Sequence, residues 1–471
     1  MSSRKWFVLA AVSLAAFLGS VDGSVVNAAS PILMRELQAD FATTQWIILA
    51  YLLGLTVLQV GMGRLADLIG KKLVFTTGIV IFLAGSALCG LATSVYWLLL
   101  FRFIQSIGAS MMLSIGSAIL TETWPHAQRG QAIGFTAGII GLGIIAGPAI
   151  GGLLIESLSW HWIFYLNLPV GFVALILALI FAPPMKPQQN HERFDFVGAA
   201  LLAISLLAFS LALTIAQHQG FFSPTVLLLS LVAVVAFAIF LRSQLRVMHP
   251  LVDLALLRNN FFRRNLFTSG CAFMSIATAV YLLPFYLNLV GGLSASGVGW
   301  MMAVLPAAMG ILQPIAGTLS DRIGARRLIL FGLGCMGFGY YTMSTMAVDS
   351  SPLAVILRVL PVSVGMAMFY SPNNSAMMGA APPERLGVAS GIASMVRALA
   401  QIAGIAISTA LFAWRVQVYG GVSVADASRE VLVLALRDQM WLVAGVMVFA
   451  FVSEVVGEHS PDHGTISEPQ A

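Results

Sequence analysis

Stretches of about 20 apolar residues recur along this chain with only short polar interruptions, each long enough to cross the roughly 30 Å hydrocarbon layer of a bilayer as a helix. Fourteen such spans are predicted, approximately at 6–30, 44–64, 73–93, 97–120, 131–153, 163–183, 195–217, 224–242, 265–288, 297–317, 328–348, 353–376, 387–413 and 438–457. Only 9% of the 471 residues are charged and 59% are hydrophobic, whereas about 25% are charged in ordinary soluble domains. Lipid is therefore the solvent. Inside it every backbone polar group must be paired within the chain, which restricts spans of this length to helices. The expected fold class is an all-α, polytopic membrane protein.

The first span begins WFVLAAVSLAAFLGS after Lys5. It has the basic start and apolar centre of a signal peptide, but the apolar pattern runs on past Gly19 through Val25, Val26 and Ala29, so it is read as a span. Cys89, Cys271 and Cys335 all fall inside spans and imply no disulfide framework. With the N-terminus placed in the cytoplasm, 17 Lys and Arg fall on that side. They include Lys71, Lys72, Arg129, Arg263, Arg264, Arg326 and Arg327. Four fall outside: Arg35, Arg415, Arg429 and Arg437. The positive-inside rule thus predicts that both termini are cytoplasmic, in a plasma or inner membrane. The net charge of +5 reflects topology, and no nucleic-acid partner is implied. Trp46, Trp97, Trp160, Trp162, Trp300, Trp414 and Trp441 lie near span ends, as interfacial aromatic belts do.

After the second span the chain reads GRLADLIGKK, and after the tenth GTLSDRIGARR. Gly63, Asp67 and Gly70 match Gly317, Asp321 and Gly324 at a constant offset, and Arg102 with Arg358 and Arg129 with Arg385 keep nearly the same one. The chain reads as a duplication. Residues 1–183 form one six-helix half and 258–458 the other, with two inserted helices and a linker at 184–257 and a disordered tail at 459–471. Parallel repeats of this kind build a transport site at the repeat interface and rock about it.

These residues resemble the major facilitator superfamily and, within it, the fourteen-helix drug:proton antiporters, over nearly the whole chain. Four motifs carry the likeness in order. They are VDGSVVNAASP (21–31), GRLADLIGKK (63–72), GLGIIAGPAIGG (141–152) and SWHWIFYLNLPVG (159–171). His161, where relatives often carry Arg, and Ala29 with Ser30, which blur the usual apolar run before Pro31, are departures. The resemblance implies a secondary exporter of small amphipathic compounds, working as a monomer in the bilayer with protons as the coupling ion. It also implies that a fifth-span contact through Gly143, Gly147, Pro148 and Gly151 seals one gate.

Asp22 is the only carboxylate well inside a span, about 12 Å from its outer end. An ionisable group there should face the bundle interior and mark an ion or substrate pathway. Arg102 lies within one or two helical turns of it in depth, so the two are expected either to couple protons or to form a permanent salt bridge. Arg358 and Arg397 are expected to bind carbonyls or to snorkel. Asp67 and Asp321 are candidates to cap a neighbouring helix N-terminus, with Gly63, Gly70, Lys71, Lys72, Gly317 and Gly324 completing a cytoplasmic latch. Leu65 stands where a phosphate-binding loop needs its first glycine, so ATP is not the expected fuel. No cofactor or metal is implied, and no catalytic constellation is present, so an enzyme is not expected. The SPNN patch at 371–374 either lines a substrate path or caps its helix, and capping is the expected role. Few carboxylates other than Glu122, Glu156 and Glu454 accompany Asp22, and the substrate is not legible.

Overall fold

The computed structural model describes residues 2–125, 128–184, 195–247, 254–382 and 386–456; the predicted tail lies outside them, as does much of the linker. The first half holds α1 (Ser2–Glu36), a one-turn α2 (Phe41–Thr44), α3 (Trp46–Ile69), α4 (Lys71–Gly90), α5 (Val95–Thr123), α6 (Arg129–Ser157), a one-turn α7 (Trp162–Tyr165) and α8 (Asn167–Phe181). The inserted pair is α9 (Phe196–Gln219) and α10 (Pro224–Gln244). The second half holds α11 (Asn260–Phe285), α12 (Ala295–Ile323), α13 (Ala325–Ser344), α14 (Pro352–Gly379), α15 (Leu386–Gly420) and α16 (Arg429–Val456). Serine N-caps at Ser223 and Ser351 each precede a proline at the first helical position, where a missing N–H costs nothing.

Among the described residues, thirteen helices are long and apolar enough to cross a membrane. The eleventh predicted span, α13, is diluted by Gly332, Gly334, Gly337, Gly339, Tyr340 and Tyr341, yet it packs between α14 and α16 as a fourteenth. Its glycines have a structural reason. A β-carbon at Gly332 or Gly339 would come within 2.7 Å of the α14 backbone or its side chains. In the first half Gly78 and Gly85 of α4 meet α5 equally closely, at the offset of the loop repeat. Small residues let these helix pairs approach backbone to backbone, where dispersion replaces the hydrophobic drive that lipid does not supply.

The helix pairings of the first half recur in the second: α4 on α5 becomes α13 on α14, α3 on α5 becomes α12 on α14, and α1 on α6 becomes α11 on α15. One apolar cluster crosses between the halves, joining Val25, Val26, Ala29, Leu33 and Phe41 to Tyr281, Leu282, Phe285 and Phe412. A second cluster, from Val8 to Leu18 with Val74, Ile115 and Ala178, stays within the first half. The halves therefore share a core at the end away from the chain termini, the distal end. Toward the terminal end each half keeps its own.

The inserted pair bridges the seam. Gln45 and Trp46 donate to the Thr214 hydroxyl of α9 at 3.0 and 2.9 Å, and Phe221 lies edge-on to Trp414 of α15. Trp46 and the buried Trp160 are thus packing residues and not belt residues, while Trp97, Trp162, Trp300, Trp414 and Trp441 are exposed as expected.

Candidate functional site

Asp22 is fully buried near the middle of α1, and its carboxylate accepts three hydrogen bonds from two other helices. Arg102 of α5 donates to Oδ2 at 2.5 Å, Gln105 of α5 donates to Oδ1 at 2.8 Å, and Asn167 at the start of α8 donates to Oδ1 at 3.1 Å. Arg102 and Gln105 share a face because they lie one turn apart, and Arg102 also donates to the Gln105 side-chain oxygen at 2.6 Å. Its Nε is satisfied by the Ile47 carbonyl at 3.1 Å, and its guanidinium lies 4.3 Å from the Tyr51 ring centre. Ser86 of α4 accepts from both Gln105 and Asn167.

The structure thus brings Asp22 and Arg102 into direct contact. The sequence reading missed Ser86, Gln105, Asn167 and Tyr51. Gln105 was recoverable from its spacing to Arg102 and Asn167 from its motif, whereas Ser86 and Tyr51 are ordinary span residues until the helices pack. The Tyr51 hydroxyl and Asn167 Oδ1 are buried with no hydrogen-bond partner. A buried ion pair is held only by good geometry and further bonds, and removing one partner strands the other charge in low dielectric.

Gly143, Gly147 and Gly151 press α6 onto α1, where added β-carbons would strike Ser20, Ser24 and Val25. Pro148 and Gly152 lie on the opposite face, against α12: a β-carbon at Gly299 would come within 2.2 Å of the Pro148 carbonyl, and one at Gly152 within 2.4 Å of the Ala295 carbonyl. Glu156 adds a bond from the Ser296 backbone N–H at 3.0 Å. Helical periodicity puts Gly134, Gly138 and Gly141 on this second face, yet β-carbons there would meet nothing within 4 Å. The halves touch through α6 at the distal end and part toward the terminal end. Beside this contact lies a cavity of about 730 Å³ lined in part by Arg35, Glu36, Glu156 and Trp160.

In the loop repeat, Gly70 and Gly324 adopt φ of 106° and 91°, conformations that side chains disfavour. The side chains of Asp67 and Asp321 lie outside the described residues, and Gly63 and Gly317 make no close approach. The basic residues that follow act alike. Lys72 donates to the Leu179 and Ala182 carbonyls at 2.7 and 2.8 Å, closing the C-terminus of α8. Arg326, its repeat equivalent, donates to the Glu454 and Val455 carbonyls at 3.0 and 2.9 Å, closing α16. Cations there offset the negative end of the helix dipole. Lys71 pairs with Glu122, and Arg264 pairs with the buried Glu454.

Of the two roles expected for Arg358 and Arg397, carbonyl binding is not seen: Arg397 reaches the Ser394 hydroxyl, whereas Arg358 reaches outward along its helix to Thr345 and Ser350 in the loop between α13 and α14. The SPNN patch does not cap a helix. It lies inside α14, and Asn373 is buried and donates to the Asn265 carbonyl.

Residues 12–405 match the sequence profile of the Major Facilitator Superfamily. The chain is 30% identical over 453 residues to the riboflavin transporter RibZ of Clostridioides difficile, covering 96% of this chain and 97% of that protein. It is 32% identical over 416 residues to the multidrug resistance protein Stp of Mycobacterium tuberculosis, covering 88% and 77%. The fold is similar to that of a bacterial homologue of the human lysosomal transporter Spinster, in its inward-facing and unoccupied conformation. The TM-score is 0.68 at 15% identity, over 97% of this chain and 98% of that one. A POT family transporter gives a TM-score of 0.70 at 17% identity, over 94% of each.

Proposed function

The chain belongs to the major facilitator superfamily, and from that premise we propose that it is a proton-coupled antiporter that exports small amphipathic compounds by alternating access. The observation that carries the reading is the buried Asp22–Arg102 pair with its ring of Gln105, Asn167 and Ser86. It is the one site well inside the first half where a proton can be taken up by a carboxylate, and it sits on α1, the helix that also packs against α6 and α11. Movement of one half against the other changes the burial of Asp22 or its distance from Arg102, and either change alters its proton occupancy. The distal contact through Pro148, Gly152 and Gly299 is the closed gate in this cycle. With the charge-rich loops cytoplasmic, the parted end faces the cytoplasm of a plasma or inner membrane. A single chain carries the whole path, and neither ATP nor a cofactor is needed.

The test is uptake of a fluorescent lipophilic cation into inverted vesicles under an imposed pH gradient, acidic inside. Accumulation by the native protein that vanishes with a protonophore and in Asp22→Asn is the expected result. Uphill accumulation by Asp22→Asn removes the mechanism.

A second reading, a symporter or proton-independent facilitator of a specific metabolite, is favoured by the end-to-end similarity to a riboflavin transporter. Riboflavin flux through the native protein, unaffected by the protonophore and by Asp22→Asn, would select it.

A further inference from the structure

Among the described residues, the second half holds a cation within an apolar span that no carboxylate pairs with. Arg397 lies 11 residues along α15 from Leu386, about 17 Å at 1.5 Å per residue, inside the apolar span that begins at Ala389. No Asp or Glu occurs in α11, α14 or α15, and Arg397 forms no salt bridge among the described residues. Its guanidinium donates through Nη2 to Ser394 at 2.8 Å, while Nη1 is buried without a partner. The rings of Phe273 from α11 and Tyr370 from α14 flank it, each with its centre 5.8 Å from the guanidinium carbon, and they lie edge to face with one another. Arg397 itself is partly exposed and Ser394 is exposed, but the contacts with Phe273 and Tyr370 turn the guanidinium toward α11 and α14, with Nη1 shut off from solvent.

The contrast with the first half gives the cluster its meaning. Arg102 is neutralised by Asp22 from within the chain. A guanidinium inside an apolar span is costly unless it meets an anion or a cavity. Its planar fork matches a carboxylate, sulfonate or phosphate monoanion through paired N–H donors, and the two rings offer an apolar, π-rich wall beside it.

We propose that Arg397, Phe273 and Tyr370 form a substrate subsite that receives the anionic group of a planar, amphipathic compound. The inference rests on the exporter reading and narrows its substrate class toward aromatic anions and zwitterions.

The test is binding of three probes sharing one ring to the full-length protein in phosphatidylcholine nanodiscs: naphthalene-2-carboxylate, naphthalene-2-carboxamide and naphthalen-2-ylmethylammonium. The native protein is expected to bind the carboxylate at least tenfold more tightly than the carboxamide. Arg397→Gln should erase that preference while leaving carboxamide binding and the melting temperature within error, and Arg397→Lys should restore part of it. Equal binding of carboxylate and carboxamide by the native protein overturns the proposal, as does a preference that survives in Arg397→Gln. Proton-driven uptake of naphthalene-2-carboxylate, measured with the same protein reconstituted into sealed phosphatidylcholine vesicles under an imposed pH gradient, separates the two readings. Its absence alongside a carboxylate preference sinks the exporter reading and leaves the subsite, whereas its presence without that preference does the reverse.

Discussion

Two arginines at membrane depth show how one residue type takes different roles from its neighbours. Arg102 is bound on all sides by Asp22, Gln105, the Ile47 carbonyl and the Tyr51 ring, and removing its charge strands a carboxylate in low dielectric. Arg102→Ala is therefore expected to destabilise the protein by about 3–5 kcal/mol, read as a large fall in melting temperature in detergent. Asp22→Asn keeps hydrogen-bonding groups for Gln105 and Asn167 but leaves the buried Arg102 charge unpaired, so it too should melt below the native protein, and its transport is compared at a temperature where both proteins remain folded. If Arg102→Ala melts like the native protein, the pair is not the anchor described. The Asp22–Arg102 pairing was legible in outline, because an ionisable residue in an apolar span demands a partner at similar depth. Gln105 and Asn167 were less so, since amides are tolerated in many surroundings and only contact reveals what they hold.

At the scale of the element, glycine placement controls how closely the helices approach. Gly85 of α4 faces the Gln105 backbone, where a β-carbon would come within 2.7 Å. Gly85→Ala must push α4 from α5 and disturb the Asp22 network, at a cost of roughly 1–3 kcal/mol and with reduced transport. Gly138→Ala on α6 meets open space in this conformation and should leave the melting temperature nearly unchanged. The comparison fails if both variants shift it equally. Helix C-termini give a second expectation: Lys72→Gln removes the cation over the Leu179 and Ala182 carbonyls and should cost on the order of 0.3–1 kcal/mol, a small loss detectable by thermal melting. The sequence offered the repeated basic cluster, but not that it closes the last helix of each half, because α8 lies about a hundred residues beyond Lys72 and α16 even further beyond Arg326.

For the whole molecule, the distal ends share one apolar core while the terminal ends are separate, so transport by rocking requires the distal contact to break. Phe41 and Phe412 meet across it with ring centres 5.6 Å apart. In a background with Cys89, Cys271 and Cys335 replaced by Ala, Phe41→Cys with Phe412→Cys should cross-link under oxidation and stop transport, and reductant should restore it. A cross-linked protein that transports at the native rate would show that the distal end need not open. Sequence alone determined that the chain is a bundle of membrane helices in two related halves, because span length, charge placement and the loop repeat are imposed locally by the bilayer and by the duplication. It also determined that Asp22 needs a partner. Only the tertiary structure decided which polar residues close around that carboxylate, that Arg397 has no counter-charge among the described residues, and which end of the bundle is shut. Those depend on the rotation and tilt of helices remote in sequence, which apolar spans leave unspecified because lipid and protein interior are nearly equivalent solvents for their side chains.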